Sequence, residues 1–271
     1  VQITSAGMES LTDEIVEALV QVLKPQGVLL ANNHANRSFE SLPMITKVAY
    51  GEVPEVLIVR ENSAEFAVPV EALSNDIWLY DQRNNRAELK KYVRGKRVLD
   101  VFSGSGAWGV QAALAGAAVV ICVDESGIAT DLALDNAQRN GVESSLVAIQ
   151  GKAVDVLKQL VNDGERFDVV IIDPPALIKR RKDQKAGEAY YRHLNELAIR
   201  LLGRDGILIS ASRSLHLDRV ALTDIVRGAS RHLDRQVQVT TQSGMPADHP
   251  VHPAIPETDY LKTLFARVYL A

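Results

Sequence analysis

The hydrophobic rhythm of the chain changes near Lys96. Beyond it, short apolar runs alternate with longer stretches of helical spacing. This predicts strands near 97–102, 118–123, 145–150, 167–172, 206–211, 236–242 and 261–270, and helices near 106–116, 127–140, 152–162, 184–203 and 217–232. Strands separated by helices must cross over in parallel, so the expectation is a doubly wound α/β sheet. Before Lys96 the pattern is different. Leu11, Ile15, Val16, Leu19, Val22 and Leu23 share one helical face over Met8 to Leu23, with Gly27 as a stop signal. Short strands are expected at Val28 to Ala31, Lys47 to Tyr50, Val56 to Arg60 and Glu65 to Val70, the last two joined by a Glu61-Asn62-Ser63 turn. Residues 1–72 therefore read as a small α+β domain, and 73–95 as a charged connector with a helical part over Arg86 to Tyr92. Residues 96–271 form the α/β domain.

Composition narrows the setting. With 271 residues, 46% hydrophobic and 24% charged, the chain can bury a full α/β domain and a smaller second one. No apolar run reaches the roughly 18 residues of a membrane span, and no basic-then-apolar leader opens the chain. The single cysteine, Cys122, excludes an internal disulfide framework and a thiolate-rich zinc site; a reducing, cytoplasmic setting without a metal is expected. A net charge of -4 and a pI near 5.9 require any contact with RNA to be local. Val1 is not a start methionine, as expected of a piece of a longer protein.

Candidate chemistry begins at Val98-Leu99-Asp100-Val101-Phe102-Ser103-Gly104-Ser105-Gly106-Ala107-Trp108-Gly109, which joins a buried run to a glycine turn and a helix start. Gly104, Gly106 and Gly109 match G-x-G-x-x-G, and Asp124 ends the next apolar run, Ala117 to Val123. Asp100 stands just before the loop. A carboxylate there would repel a dinucleotide pyrophosphate but suits the ammonium and sulfonium of S-adenosylmethionine. A second apolar run, Phe167 to Ile172, leads into Asp173-Pro174-Pro175 at the edge where open α/β sheets hold ligands. Both features disfavour a nicotinamide-dependent dehydrogenase. The candidate cofactor residues are Asp100, Phe102, Ser103, Gly104, Gly106, Asp124, Glu125 and Asp173.

These motifs, with Asp81-Gln82-Arg83-Asn84-Asn85-Arg86, Lys182-Asp183-Gln184-Lys185-Ala186-Gly187, Ala247-Asp248-His249-Pro250-Val251, Pro256-Glu257 and Tyr260-Leu261-Lys262, carry a family resemblance. The chain resembles the class I S-adenosylmethionine-dependent methyltransferases that modify cytosine C5 in large-subunit ribosomal RNA, the group with an N-terminal PUA domain. The resemblance covers nearly the whole chain. It implies a Rossmann-like, seven-stranded sheet with its last strand antiparallel, S-adenosylmethionine as cofactor and ribosomal RNA as partner. No PUA segment precedes Val1, so that docking module is expected to be absent.

Three departures bear on activity. Where the family has Ala-Ser-Cys-Ser-x-His-Leu-Asp, with a cysteine that attacks C6 of the pyrimidine, this chain has Ala211-Ser212-Arg213-Ser214-Leu215-His216-Leu217-Asp218. A guanidinium stays protonated and cannot add to C6. Lys152 stands where relatives place an aspartate for the adenine amino group, and Leu73 to Ile77 replaces Gly-Gln-Lys-Thr-Gly. Cytosine-C5 transfer is therefore not expected. The alternatives are a retired enzyme that binds RNA or aids assembly, and an RNA methyltransferase directed at nitrogen, which needs no covalent nucleophile.

Several residues carry two readings. Asp124 would hold ribose hydroxyls or cap the next helix. Asp173 would contact a base or brace the Pro-Pro turn. Lys179-Arg180-Arg181-Lys182 with Lys185 would bind RNA phosphate or be a solvated charge run. Arg83 is a further RNA candidate, and His249 is either an RNA contact or base or a solvated loop histidine, as is His252. Trp108 and Tyr190-Tyr191 read as packing residues. Arg213, at the lost nucleophile's place, would face solvent or reach a phosphate.

Overall fold

The structure is a computed structural model that describes residues 1–70 and 77–270; of the departure at Leu73 to Ile77, only Ile77 lies among the described residues. The chain divides into two compact units, residues 1–57 with 68–77 and residues 58–67 with 78–271.

In the first unit the expected N-terminal helix is two, α1 (Ala6–Glu9) and α2 (Thr12–Leu23). The break falls where the Ser10 and Thr12 hydroxyls bond back to the carbonyls of Gly7 and Glu9, competing with the helical ladder. α2 stops earlier than Gly27, at Lys24 in the left-handed region, because the following Pro25 cannot continue the helix. Strands β1 (Gly27–Asn32) and β2 (Ile45–Gly51) pair antiparallel. Between them is a 3-10 turn, Ala35–Glu40, that the pattern of the sequence did not announce. Its Arg37 is fully buried and bonds to both Glu9 oxygens, at 2.9 and 3.2 Å, and to the carbonyls of Ile3 and Pro43.

The hairpin of β3 (Val56–Glu61) and β4 (Ala64–Pro69) turns at Asn62 and Ser63, both with positive φ, the pattern of a type I′ turn. Its tip, 58–67, belongs to the second unit. There Glu61 accepts two hydrogen bonds from Arg86, at 2.5 and 2.8 Å, and Asn62 bonds to Gln111. Asn140 and Asn136 present their amides to the backbone of Glu65 and Ala67, as a neighbouring strand would.

The second unit is built on a seven-stranded sheet. In spatial order it runs β10 (Arg235–Ser243), β11 (Lys262–Leu270), β9 (Leu202–Ser212), β8 (Phe167–Ile172), β5 (Arg97–Val101), β6 (Val119–Asp124) and β7 (Leu146–Gln150). Only β11 runs against its neighbours, so the last strand is antiparallel, as expected. Between the strands lie α4 (Ala107–Leu114), α5 (Gly127–Arg139), α6 (Ala153–Asn162), α7 (Gln184–Leu201) and α8 (Arg219–His232); α3 (Arg83–Leu89) precedes β5. β8 is apolar except at Asp168, and Val169 to Ile172 are buried because the strand is covered on both faces. The core joins Leu99, Val101, Val170 and Ile172 of the central strands to Leu157, Tyr191, Leu194 and Ile225 of the helices.

Connections from β5 lead one way to β6 and β7, then the chain returns to β8 and β9 on the other side of β5. The carboxyl ends of β5 and β8 therefore bound the switch-point crevice where such sheets bind ligands. Among the described residues, no helix is long and apolar enough to cross a membrane.

The side chains of Glu61 and Arg86 are 1% and 3% exposed, so removing one partner strands a buried charge. Arg86→Leu should lower stability by about 3–5 kcal/mol in urea unfolding. A loss below about 1 kcal/mol would show that the pair is not the anchor of the hairpin tip.

Candidate active site

The glycine loop forms because β5 ends beside the end of β6. Phe102 and Ser103 both donate their backbone N–H to the Val123 carbonyl, at 2.9 and 3.1 Å, and Gly104 donates to Asp124 Oδ2 at 2.9 Å. This wrap forces Phe102 to φ 66°, a strained value for a bulky residue. At Gly106, φ is 78° and a Cβ would sit 3.0 Å from that of Ala133, so glycine is required to start α4 there. Gly109 serves close packing: a Cβ would come within 2.4 Å of Cys122 Sγ.

Asp124 also accepts from Ser126 N through Oδ1 at 2.9 Å, while Ser126 itself caps α5. Asp124 thus braces both the loop and the helix entry. It is half-buried, and each oxygen keeps a lone pair. Glu125 beside it is exposed, as is Lys152 across the edge at the N-cap of α6, where its side chain makes no capping bond.

Asp100 is fully buried. Its Oδ2 accepts from Gly109 N at 2.9 Å, and its Oδ1 has no partner. Burial first, and the charge of Asp173 second, push its pKa up to about 8 against the pull of the Gly109 bond. The neighbouring Cys122 is likewise buried, and burial together with Asp100 keeps its thiol well above the usual range. That thiol is no nucleophile.

Arg213 lies neither in solvent nor free for a phosphate; its side chain is 12% exposed and clamped between two acids. Nε and one terminal nitrogen donate to Asp81 at 2.9 and 3.0 Å, and the two terminal nitrogens donate to Asp173 at 2.6 and 3.4 Å. Burial opposes its charge, but Asp173 and Asp81 outweigh that and hold the guanidinium above its ordinary value. Asp173 accepts two further bonds, from Gln82 Nε2 at 3.1 Å and from Trp108 Nε1 at 2.9 Å. Four donors fill its acceptor sites.

The segment around Arg213 is held from both sides. Ser214 bonds to Ile178 N and Tyr191, Tyr191 to Ser212, and the buried Lys262 donates to the Ser214 and Tyr260 carbonyls at 2.7 and 2.8 Å. Burial pushes the Lys262 ammonium down to about 8.

The structure brings Asp100, Phe102, Ser103, Gly104, Gly106, Asp124 and Asp173 to one edge of the sheet. Arg83 and His249 meet through Asp248, at 2.8 and 3.2 Å. Lys179, Arg180, Arg181 and Lys182 are exposed, with Arg180 paired to Asp183. Trp108 packs, as expected, yet its indole also braces Asp173. Asp81, Gln82 and Lys262 were not among the residues singled out for the site. For the first two a signal existed in the spacing: Asp81, Gln82, Asn85, Arg86 and Leu89 fall on one helical stripe, four of the five polar, and all are buried.

Sheet order, loop and edge carboxylates define a Rossmann-like class I methyltransferase fold. A family model described as conserved hypothetical protein 95 matches residues 86–193. A protein named ribosomal RNA large subunit methyltransferase I from Shewanella amazonensis is 33% identical over 270 residues, covering 99% of this chain and 68% of its own length. The chain belongs to the family of ribosomal RNA large subunit methyltransferase I. Among solved structures, a methyltransferase complexed with SAH superposes with a TM-score of 0.83 at 23% identity, covering 98% of this chain and 68% of that one. Trm5b from Pyrococcus abyssi does so at 0.69 and 18%, covering 100% and 72%. Both likenesses concern the fold.

The raised pKa of Asp100 gives a prediction with a definite sign. The folded state keeps a proton that the unfolded chain releases from about pH 4 upward, so stability falls as pH rises toward about 8 and is then flat. Asp100→Asn does not titrate. Relative to the variant, the wild type should lose several kcal/mol between pH 4 and pH 8.5 in urea unfolding. A constant difference would show that Asp100 titrates normally.

Proposed function

We propose that this chain binds S-adenosylmethionine at the loop 102–106 and contacts ribosomal RNA, and that its site does not carry out cytosine-C5 transfer. The observation that carries the reading is the place and bonding of Arg213. It occupies the position at which the resemblance expects the nucleophile, and two carboxylates hold it there. Neither Arg213 nor Cys122 can add to C6: the guanidinium is permanently charged, and Cys122 is buried against Asp100 as a thiol.

The cofactor reading is supported by the loop itself. The Asp124 oxygens have lone pairs left for ribose hydroxyls, and the orphaned Asp100 Oδ1 fits the ammonium of the amino-acid end. When bound, the cofactor supplies a methyl group on a cationic sulfur. The printed name of the relatives supports large-subunit ribosomal RNA as partner, and the exposed Lys179 to Lys182 and half-buried Arg83 would meet its phosphates. Saturation of Asp173 favours a retired site over a redirected one, because no acceptor remains there to hold a target base.

The test combines binding with product analysis. S-adenosylmethionine should bind in calorimetry, and ribosomal RNA incubated with protein and cofactor should yield no 5-methylcytosine by nucleoside mass spectrometry. RNA carrying a fluoropyrimidine should form no covalent adduct. A methylated nitrogen in that RNA would instead establish the nitrogen-directed alternative, and robust 5-methylcytosine would sink the reading altogether.

Arg213→Cys should restore little C5 activity. The exchange leaves Asp81 and Asp173 without their counter-charge, and a shift of about 1 Å at the reacting groups costs roughly 100-fold. Activity within about 10-fold of a competent relative would show that the pocket is otherwise intact.

Lys152→Asp addresses the adenine end. A cation at a helix N-terminus opposes the helix dipole, whereas aspartate caps it, so the variant should gain about 1 kcal/mol in thermal or urea unfolding. With adenine placed as the resemblance implies, a new hydrogen bond should also tighten cofactor binding about 3- to 10-fold. A more stable variant with unchanged affinity would move the adenine elsewhere.

A further inference from the structure

We propose that the free protein holds a proton on Asp100 and releases it when S-adenosylmethionine enters, so that the cofactor's ammonium takes the proton's place. The inference rests on the cofactor reading above and concerns what binding does to the protein's own groups.

Asp100 is completely buried, one of its oxygens has a single strong bond, to Gly109 N, and the other has none. As a carboxylate it would be a buried charge with an unmet acceptor, which is severely disfavoured. As a neutral acid it leaves only one hydroxyl unpaired. The groups that face it do not change this. From β6 come the protonated Cys122, at 3.9 Å, and Asp124; from the turn after β8 comes Asp173; and from α4 comes the Gly109 N–H. Among the described residues the cation that acts on it is Arg86 on α3, and that guanidinium is already paired with Glu61. Arg213 is committed to Asp81 and Asp173.

A ligand ammonium would supply both missing items, a positive charge and N–H donors for Oδ1. The carboxyl O–H bond then breaks, its electron pair stays on Asp100, and the proton leaves to buffer. The upward shift of Asp100 to about 8 is consistent with this and sets the range: proton release should be nearly complete at pH 7 and should vanish above about pH 9.

Calorimetry on the whole chain tests it. At pH 7 the binding enthalpy of S-adenosylmethionine should differ between two buffers of unlike ionisation enthalpy by an amount that counts about one released proton. S-adenosylhomocysteine, which keeps the ammonium, should behave alike, and 5′-methylthioadenosine, which lacks it, should bind with no buffer dependence. Wild-type affinity should rise about 10-fold per pH unit between pH 6 and pH 7.5. Asp100→Asn should remove both the buffer dependence and the slope. In the free wild type at pH 7, infrared spectroscopy should show the carbonyl stretch of a protonated carboxyl that Asp100→Asn abolishes.

Binding with equal enthalpy in both buffers overturns the exchange while leaving the cofactor reading intact. Proton release with 5′-methylthioadenosine equal to that with S-adenosylmethionine overturns the role of the ammonium. A protonated-carboxyl band without binding of any of the three compounds overturns the cofactor reading and the exchange with it.

Discussion

The clamp of Arg213 on Asp81 and Asp173 is the interaction on which the site depends. It ties three places distant in sequence: the turn before α3, the end of β8 and the segment after β9. Two buried carboxylates at one edge would repel each other and lose their hydration, so neither is tolerable there without a cation. The planar fork of arginine meets both at once, which a lysine could not do. Gln82 and Trp108 then settle on Asp173. The edge is therefore organised around the Arg213 charge and the two acids that hold it.

The loop beside it is rigid for a different reason. Its amides are consumed by the end of β6, through Val123 O and Asp124, and its back rests on α5, where Asn136 donates to the Ser105 carbonyl at 3.0 Å. The same asparagine bonds to Ala67 N in the hairpin tip, so one polar side chain serves loop and hairpin together. Such bonds fix the strained Phe102 and the left-handed Gly106, which an isolated turn of this sequence would not keep. Preorganisation of this kind allows a ligand to bind without ordering the loop first.

Most of the α/β architecture was legible because it follows from period. Runs such as Val169 to Ile172, short and rich in β-branched residues, fit strands buried on both faces, and the crossover helices between them dictate parallel order. The glycine loop and Asp124 were legible because their local geometry is written in adjacent residues. What escaped was non-local or polar. The turn at Ala35–Glu40 has no hydrophobic signature, since its anchor is the buried Arg37. The partners of Arg213 escaped too, because Asp81 lies 132 positions away in sequence and nothing local announces that the two meet. A charged residue at an expected nucleophile's place looked like a surface substitution; its burial and its two acids show it to be part of the interior.

Seen through charge, Arg213 cannot be considered apart from its two acids. An uncharged side chain at 213 would leave Asp81 and Asp173 buried and unpaired, so arginine and the two acids form one unit. That unit takes Asp173 out of play, because all its acceptor sites are used. Asp100 then remains as a fully buried carboxyl with an oxygen that has no hydrogen-bond partner among the described residues. The clamp also keeps the Arg213 charge from compensating Asp100, since both faces of the guanidinium fork already meet carboxylates. The clamp that satisfies the carboxylates on one side of the crevice thereby leaves the demand for a cation undiminished on the other, at the buried Asp100.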